Sequence, residues 1–234
     1  MVLFFLPHAG GSAKSYSSFK RFLPKDLTVV PMELSGRFTR PSEPLLDNVS
    51  DCVSDLIEKH SELLRGEYAL FGHSMGTVFV TELVRQAKEK GLAMPVHIFL
   101  SGKNPPDEDV HCFENVETAS DEEIVSFFSA NALSSSVPAP DEELVKFLSL
   151  ILCTDVRMAE KYKATPDDVK FDCDITVLYG TEDTLMQNVD MNSWSRFTNG
   201  KCEVYPFKGG HFYYSNQKKE VCDIINEKLG LSNL

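Results

Sequence analysis

No run of this sequence reaches the roughly 18–20 apolar residues that a membrane-spanning helix needs. The apolar opening, Met1-Val2-Leu3-Phe4-Phe5-Leu6, has no basic segment ahead of it and stops at Pro7. It reads as a buried strand and not as a secretory signal. Basic residues are scarce: 23 Lys and Arg stand against 35 Asp and Glu, a formal net charge of −12. A chain this acidic argues against nucleic acid as its main partner, because phosphate backbones need a basic surface. Between Asn104 and Val145 there is no Lys or Arg at all, against eleven Asp and Glu. No two of the six cysteines (Cys52, Cys112, Cys153, Cys173, Cys202, Cys222) have CxxC spacing. Neither a zinc site nor a disulfide framework follows, and reduced structural thiols in a cytoplasmic protein are the simplest reading. Internal repeats and low-complexity tracts are also missing.

What is present is a globular composition, 42% hydrophobic and 25% charged over 234 residues. That length suits a single α/β domain carrying an insertion. Short apolar runs at Val2–Leu6, Leu27–Pro31, Tyr68–Phe71, Val96–Leu100, Ile175–Tyr179 and Cys202–Tyr205 predict strands. Between the second and third, Val49, Val53, Leu56, Ile57, Leu63 and Leu64 form a helical stripe, and Thr77–Lys90 and Glu220–Leu229 are also helix-like. Strand followed by helix implies crossover connections and a mostly parallel sheet, whose strands are covered on both faces and therefore apolar throughout. From about Asn104 to Ala164 the alternation breaks. Ile124, Phe127 and Phe128 make one short stripe and Leu144, Phe147, Leu148, Ile151 and Leu152 another, separated by the linker Ser134–Pro140. This predicts a helical insertion between two sheet strands.

One junction carries chemistry. In "YALFGHSMGTVFV" an apolar strand runs into Gly72-His73-Ser74-Met75-Gly76 and then into a helix. A serine in such a G-x-S-x-G turn sits at the carboxyl edge of the sheet with its hydroxyl exposed, as in the nucleophile elbow of the α/β-hydrolases. The helix that follows aims its first amides at the site and favours developing negative charge there. A serine hydroxyl needs a base, and the base needs an orienting carboxylate. The fold sets the chain order serine, acid, histidine. Asp183 in "LYGTED" and His211 in "FKGGHF" follow the last two predicted strands, with Glu182 as the rival acid. The loop after the first strand, "LPHAGGS", is placed to supply a second oxyanion donor, the backbone N–H of Ala9 beside that of Met75. His8 and His73 are read as shaping that loop and the elbow, and His60, His97 and His111 as structural or surface residues.

The chain resembles the free-standing type II thioesterases of nonribosomal peptide and polyketide synthesis. The matching stretches are "FLPHAGGSAKSY", "ELSGR", "YALFGHSMG", "IFLSGK", "TDVRMAEKY", "LYGTED" and "GGHF". The family's triad falls on Ser74, Asp183 and His211, and its oxyanion amides fall on Ala9 and Met75. Ser35 departs from the proline usual at its position, with loop stiffness the expected consequence. The resemblance implies hydrolysis of acyl thioesters on the phosphopantetheine arms of acyl or peptidyl carrier proteins, clearing stalled or wrongly loaded groups. No metal or organic cofactor is needed. Chain-terminating cleavage of medium- or long-chain fatty acyl groups, or general carboxylester hydrolysis, is the alternative. The insertion at about 104–164 is expected to be a lid over the acyl site, with Met75, Phe128, Phe147 and Met158 as candidate acyl contacts. Carrier proteins are acidic, so docking is expected away from the acidic stretch, near Lys14, Arg37, Arg40 or Lys208. The start of the chain next to its first strand favours a free-standing protein, read as a monomer.

Overall fold

A computed structural model describes residues 1–113, 115–131, 141–186 and 188–231. The apolar runs form strands β1 (Val2–Leu6), β2 (Thr28–Pro31), β3 (Tyr68–His73), β4 (His97–Ser101), β5 (Asp174–Gly180) and β6 (Cys202–Phe207). They join in one sheet of order β2-β1-β3-β4-β5-β6, and every pairing is parallel. β3 and β4 lie in the interior of the sheet and are buried along their whole length, whereas β6, at an edge, is half exposed. This is the distinction that the continuous apolar runs anticipate.

Side chains of a strand alternate between faces, so each strand feeds two cores. Phe4 and Leu6 of β1 pack on one face with Leu70 and Ile98. That face is covered by α1 (Val49–Lys59) and α2 (Met75–Glu89) through Val53, Leu56, Phe79 and Leu83. Leu3 and Phe5 point the other way, onto Tyr16 and Phe19 of a 3₁₀ segment at Ala13–Arg21 and onto Val221 and Ile225 of the last helix, Lys218–Lys228. The stripe predicted to continue through Leu64 is divided. α1 ends at Lys59 and a separate 3₁₀ turn covers Leu63–Arg65.

Between β4 and β5 the described residues hold two helices and no strand, α3 (Asp121–Asn131) and α4 (Glu142–Lys161). Ser120 and Glu123 cap α3 reciprocally: the Ser120 Oγ accepts from the Glu123 N–H at 3.2 Å, and the Glu123 carboxylate accepts from the Ser120 N–H at 2.7 Å. Ile124 and Val116 pack on Cys153 and Val156 of α4. Burial along α4 is graded. Leu144 and Val145 are exposed, contrary to the stripe drawn through Leu144, while Ile151 and every residue from Asp155 to Glu160 except Arg157 are buried. The predicted linker Ser134–Pro140 lies outside the described residues. No described helix is long and apolar enough to cross a membrane. The last helix, Lys218–Lys228, is α5.

Candidate active site

The elbow forms because β3 and α2 are joined by a single residue. Ser74 adopts φ 54°, ψ −120°, a conformation that costs a non-glycine residue about 1–3 kcal/mol. Two close approaches demand the flanking glycines. A Cβ on Gly72 would lie 2.3 Å from the carbonyl oxygen of Gly76, and one on Gly76 would lie 2.4 Å from that of Leu6. Ser74 occupies the N-cap position of α2, yet its hydroxyl makes no capping bond and remains available. The turn is held from outside. The Ser74 N–H donates to the Ser101 carbonyl at 2.7 Å, and the Thr77 hydroxyl donates to the Ser74 carbonyl at 2.8 Å.

Asp183 and His211 come from the loops that follow β5 and β6. These loops pack so closely that a Cβ on Gly180 would meet the Gly210 carbonyl oxygen at 2.3 Å, and the Glu182 N–H donates to the Gly209 carbonyl at 2.8 Å. Between them His211 Nδ1 lies 2.8 Å from Asp183 Oδ2, with both side chains almost wholly buried. The second carboxylate oxygen accepts the Leu185 N–H at 3.0 Å. Glu182 is exposed, so Asp183 is the acid that geometry joins to the imidazole.

Ser74 and His211 line one narrow cleft together with Ala9, Met75, Lys103, Cys112, Phe128, Val156, Ala159, Glu160, Leu185 and Met186. Phe128 therefore reaches the cleft, but the other two proposed acyl contacts do not line it. Phe147 packs edge-on against Phe38 at 6.5 Å between ring centroids. Met158 faces the core beneath α4, its sulfur 3.8 Å from Cys52 Sγ. A stripe of helical periodicity marks which residues are covered and not which neighbour covers them. The residues that sequence patterning missed are polar. The Lys103 ammonium and Glu160 carboxylate pair at 3.3 Å in the cleft wall, where a second narrow cleft shares them. His111, read from the sequence as a structural or surface residue, lies 3.1 Å from that carboxylate. Cys112 also lines the cleft of Ser74, but burial pushes its thiol up to about 12, so it offers little thiolate to compete with a serine.

Two neutral histidines back the site. His73 is fully buried, its Nδ1 2.9 Å from Ser101 Oγ, which lies 2.7 Å from the Tyr213 hydroxyl. Its ring stands 4.9 Å from that of His211, and burial followed by the charge of His211 holds its pKa well below the usual value. His8 packs on Phe212 and is lowered to about 4 by burial and, second, by His211.

Two of the cations expected to meet a carrier protein are already engaged. The Arg37 side chain is completely buried against Asp155, and Arg40 is bound by Glu43 and Asp55. Lys14 and Lys208 are exposed. Ser35 uses the hydroxyl that a proline would lack, donating to the Pro44 carbonyl at 2.7 Å.

A parallel sheet with helices on both faces, a strained serine between its third strand and the next helix, and a buried aspartate–histidine pair beyond its last two strands define the α/β-hydrolase class. Within that class the chain belongs to the thioesterase domain family, whose profile matches residues 2–229. Among solved structures it is similar to ClbQ from the colibactin NRPS/PKS pathway (TM-score 0.87, 30% identity, 98% of this chain and 96% of that one). It is also similar to BorB, the type II thioesterase of the borrelidin biosynthetic cluster (TM-score 0.83, 29% identity, 100% and 92%). A curated relative, the gramicidin S biosynthesis protein GrsT of Aneurinibacillus migulanus, is 28% identical over 230 residues, covering 98% of this chain and 89% of GrsT.

Proposed function

We propose that this protein hydrolyses acyl thioesters carried on the phosphopantetheine arms of acyl or peptidyl carrier proteins, through an acyl-enzyme on Ser74. The observation that carries the reading is the 2.8 Å His211–Asp183 pair, whose imidazole lines one cleft with Ser74 at the N-terminus of α2. Asp183 fixes the imidazole with Nδ1 as the donor, which leaves Nε2 to take the serine proton. Ser74 Oγ attacks the thioester carbonyl, His211 accepts its proton, and the tetrahedral oxyanion meets the Met75 and Ala9 amides. Collapse expels the pantetheine thiolate, which His211 protonates. A water, deprotonated by the same imidazole, then releases the acid and restores Ser74. No metal or organic cofactor takes part.

The similarity to ClbQ, BorB and GrsT supports an editing role in nonribosomal peptide or polyketide assembly over fatty-acid chain termination. Ser74→Ala is expected to retain the wild-type melting profile and to lower acyl-carrier hydrolysis to the uncatalysed rate. A variant with undiminished turnover would remove Ser74 from the chemistry. Comparison of acyl-carrier substrates with oxygen esters and long-chain acyl-CoA separates the two roles, the editing role requiring the higher kcat/KM on the carrier.

A further inference from the structure

The loop that offers the Ala9 amide is a tight turn. The Gly11 N–H donates to the His8 carbonyl at 2.9 Å, and Gly10, at φ +70°, occupies the third position, where a type II turn calls for glycine. Two of its amides are committed. Gly11 closes the turn, and the Gly10 N–H donates to Asp155 Oδ2 at 2.9 Å across 145 residues of chain. The Ala9 N–H has no acceptor among the described residues. α4 grips the turn twice on one helical face, because a Cβ on Gly10 would lie 3.2 Å from Leu152 Cδ1, three residues before Asp155.

The other oxygen of Asp155 accepts from Arg37 Nε at 3.0 Å and from Nη2 at 2.5 Å, and both side chains are fully buried. Arg37 is itself pinned by the Ser35 and Leu46 carbonyls at 2.7 and 3.1 Å. None of these residues touches the nucleophile, and the acyl-transfer scheme leaves them unused. A buried anion beside an oxyanion site opposes catalysis unless it is neutralised, and the guanidinium supplies that neutralisation.

We infer that Asp155 is a positioning residue. It holds the Gly10 amide so that the turn presents the Ala9 N–H to the tetrahedral oxyanion, and it makes seating of α4 a condition for a complete oxyanion site. The inference rests on the Ser74 reading above. Misplacing one oxyanion donor by about 1 Å costs on the order of 100-fold in rate while leaving ground-state binding nearly intact.

The test uses the full chain and an acyl-N-acetylcysteamine thioester. Arg37→Met/Asp155→Leu removes both charges and keeps apolar bulk. Arg37→Met/Asp155→Asn removes the charges but retains an amide oxygen for the Gly10 N–H. The Leu variant is expected to lose about 100-fold in kcat with KM within about threefold, and to bind an alkylboronic acid, whose tetrahedral adduct occupies the oxyanion site, more weakly by a similar factor. The Asn variant is expected to recover at least tenfold of both losses. Wild-type kcat in the Leu variant, or equal losses in the two variants, overturns the inference. A measurement independent of either variant is amide exchange of glycine-labelled wild-type protein. A protected Gly10 signal supports the clamp, and one that exchanges at the intrinsic rate of an unprotected amide overturns it. Ser74→Ala run alongside keeps the two readings apart. Activity there dismisses the serine, whereas an inactive Ser74→Ala beside a fully active Leu variant dismisses the clamp alone.

Discussion

Gly76 shows how little freedom the surroundings of Ser74 have. A single added methyl would sit 2.4 Å from the Leu6 carbonyl oxygen, which belongs to β1 and cannot swing aside as a side chain could. Gly76→Ala is therefore expected to lower unfolding free energy in urea by about 1–3 kcal/mol and to depress kcat further by displacing Met75. Buried imidazoles set a second constraint. His97 is held at about 4 chiefly by burial, with its Nε2 2.9 Å from Thr176 Oγ1. A histidine that stays neutral in the folded chain but protonates at about 6.5 when unfolded binds more protons in the unfolded state across that interval. Its contribution is whole above about pH 6.5 and drains away as pH falls toward about 4. His97→Gln, which keeps a polar contact to Thr176 without titrating, is expected to flatten the decline of Tm between those two pH values. A slope equal to that of the wild type would show that the group titrates alike in both states. At this scale the elbow at Ser74 and the Asp183–His211 contact were legible because strand ends and loop order prescribe their addresses. Asp155 was not, although "TDVRMAEKY" was singled out, because its partners lie 118 and 145 residues away and no local pattern encodes them.

Strands and helices were legible for a simpler reason. β3 and β4 are buried on both faces, so an unbroken apolar run is the only sequence that satisfies them. Their limits were less so: β3 extends to His73, beyond the Phe71 where apolar residues stop, because His73 is buried and bonded to Ser101. α4 illustrates what periodicity leaves out. Its apolar positions from Leu144 to Leu152 suggest a uniform stripe, whereas only the later turns are covered by α3, the core and the Gly10 turn. We propose that α3 and α4 together act as a lid over the acyl site, since Phe128, Val156 and Ala159 wall the cleft. Phe128→Ala is expected to widen the chamber and shift kcat/KM toward longer acyl thioesters by about tenfold. An unchanged chain-length profile would assign Phe128 to packing alone.

Across the whole molecule the net charge of −12 is unevenly spread, with the cation-free stretch from Asn104 to Val145 lying between β4 and β5. An acidic carrier approaching this protein meets repulsion there and finds exposed ammonium groups at Lys14 and Lys208. With Arg37 and Arg40 already bound internally, the docking proposal narrows to these two lysines. Lys14→Glu/Lys208→Glu is expected to lower kcat/KM about tenfold on an acyl-carrier protein at low salt and to leave hydrolysis of the N-acetylcysteamine mimic unaltered. Equal losses on both substrates would assign the effect to the chemistry. The sheet order carries a consequence of another kind. β4 and β5 lie side by side, yet the chain between them divides the proposed working parts, with Ala9 and Ser74 before it and Asp183 and His211 after. On the proposed mechanism, a polypeptide severed between Asn131 and Asp141 is expected to yield two fragments that are each chemically mute. Any hydrolysis recovered on mixing them would report that the fourth and fifth strands had found each other again.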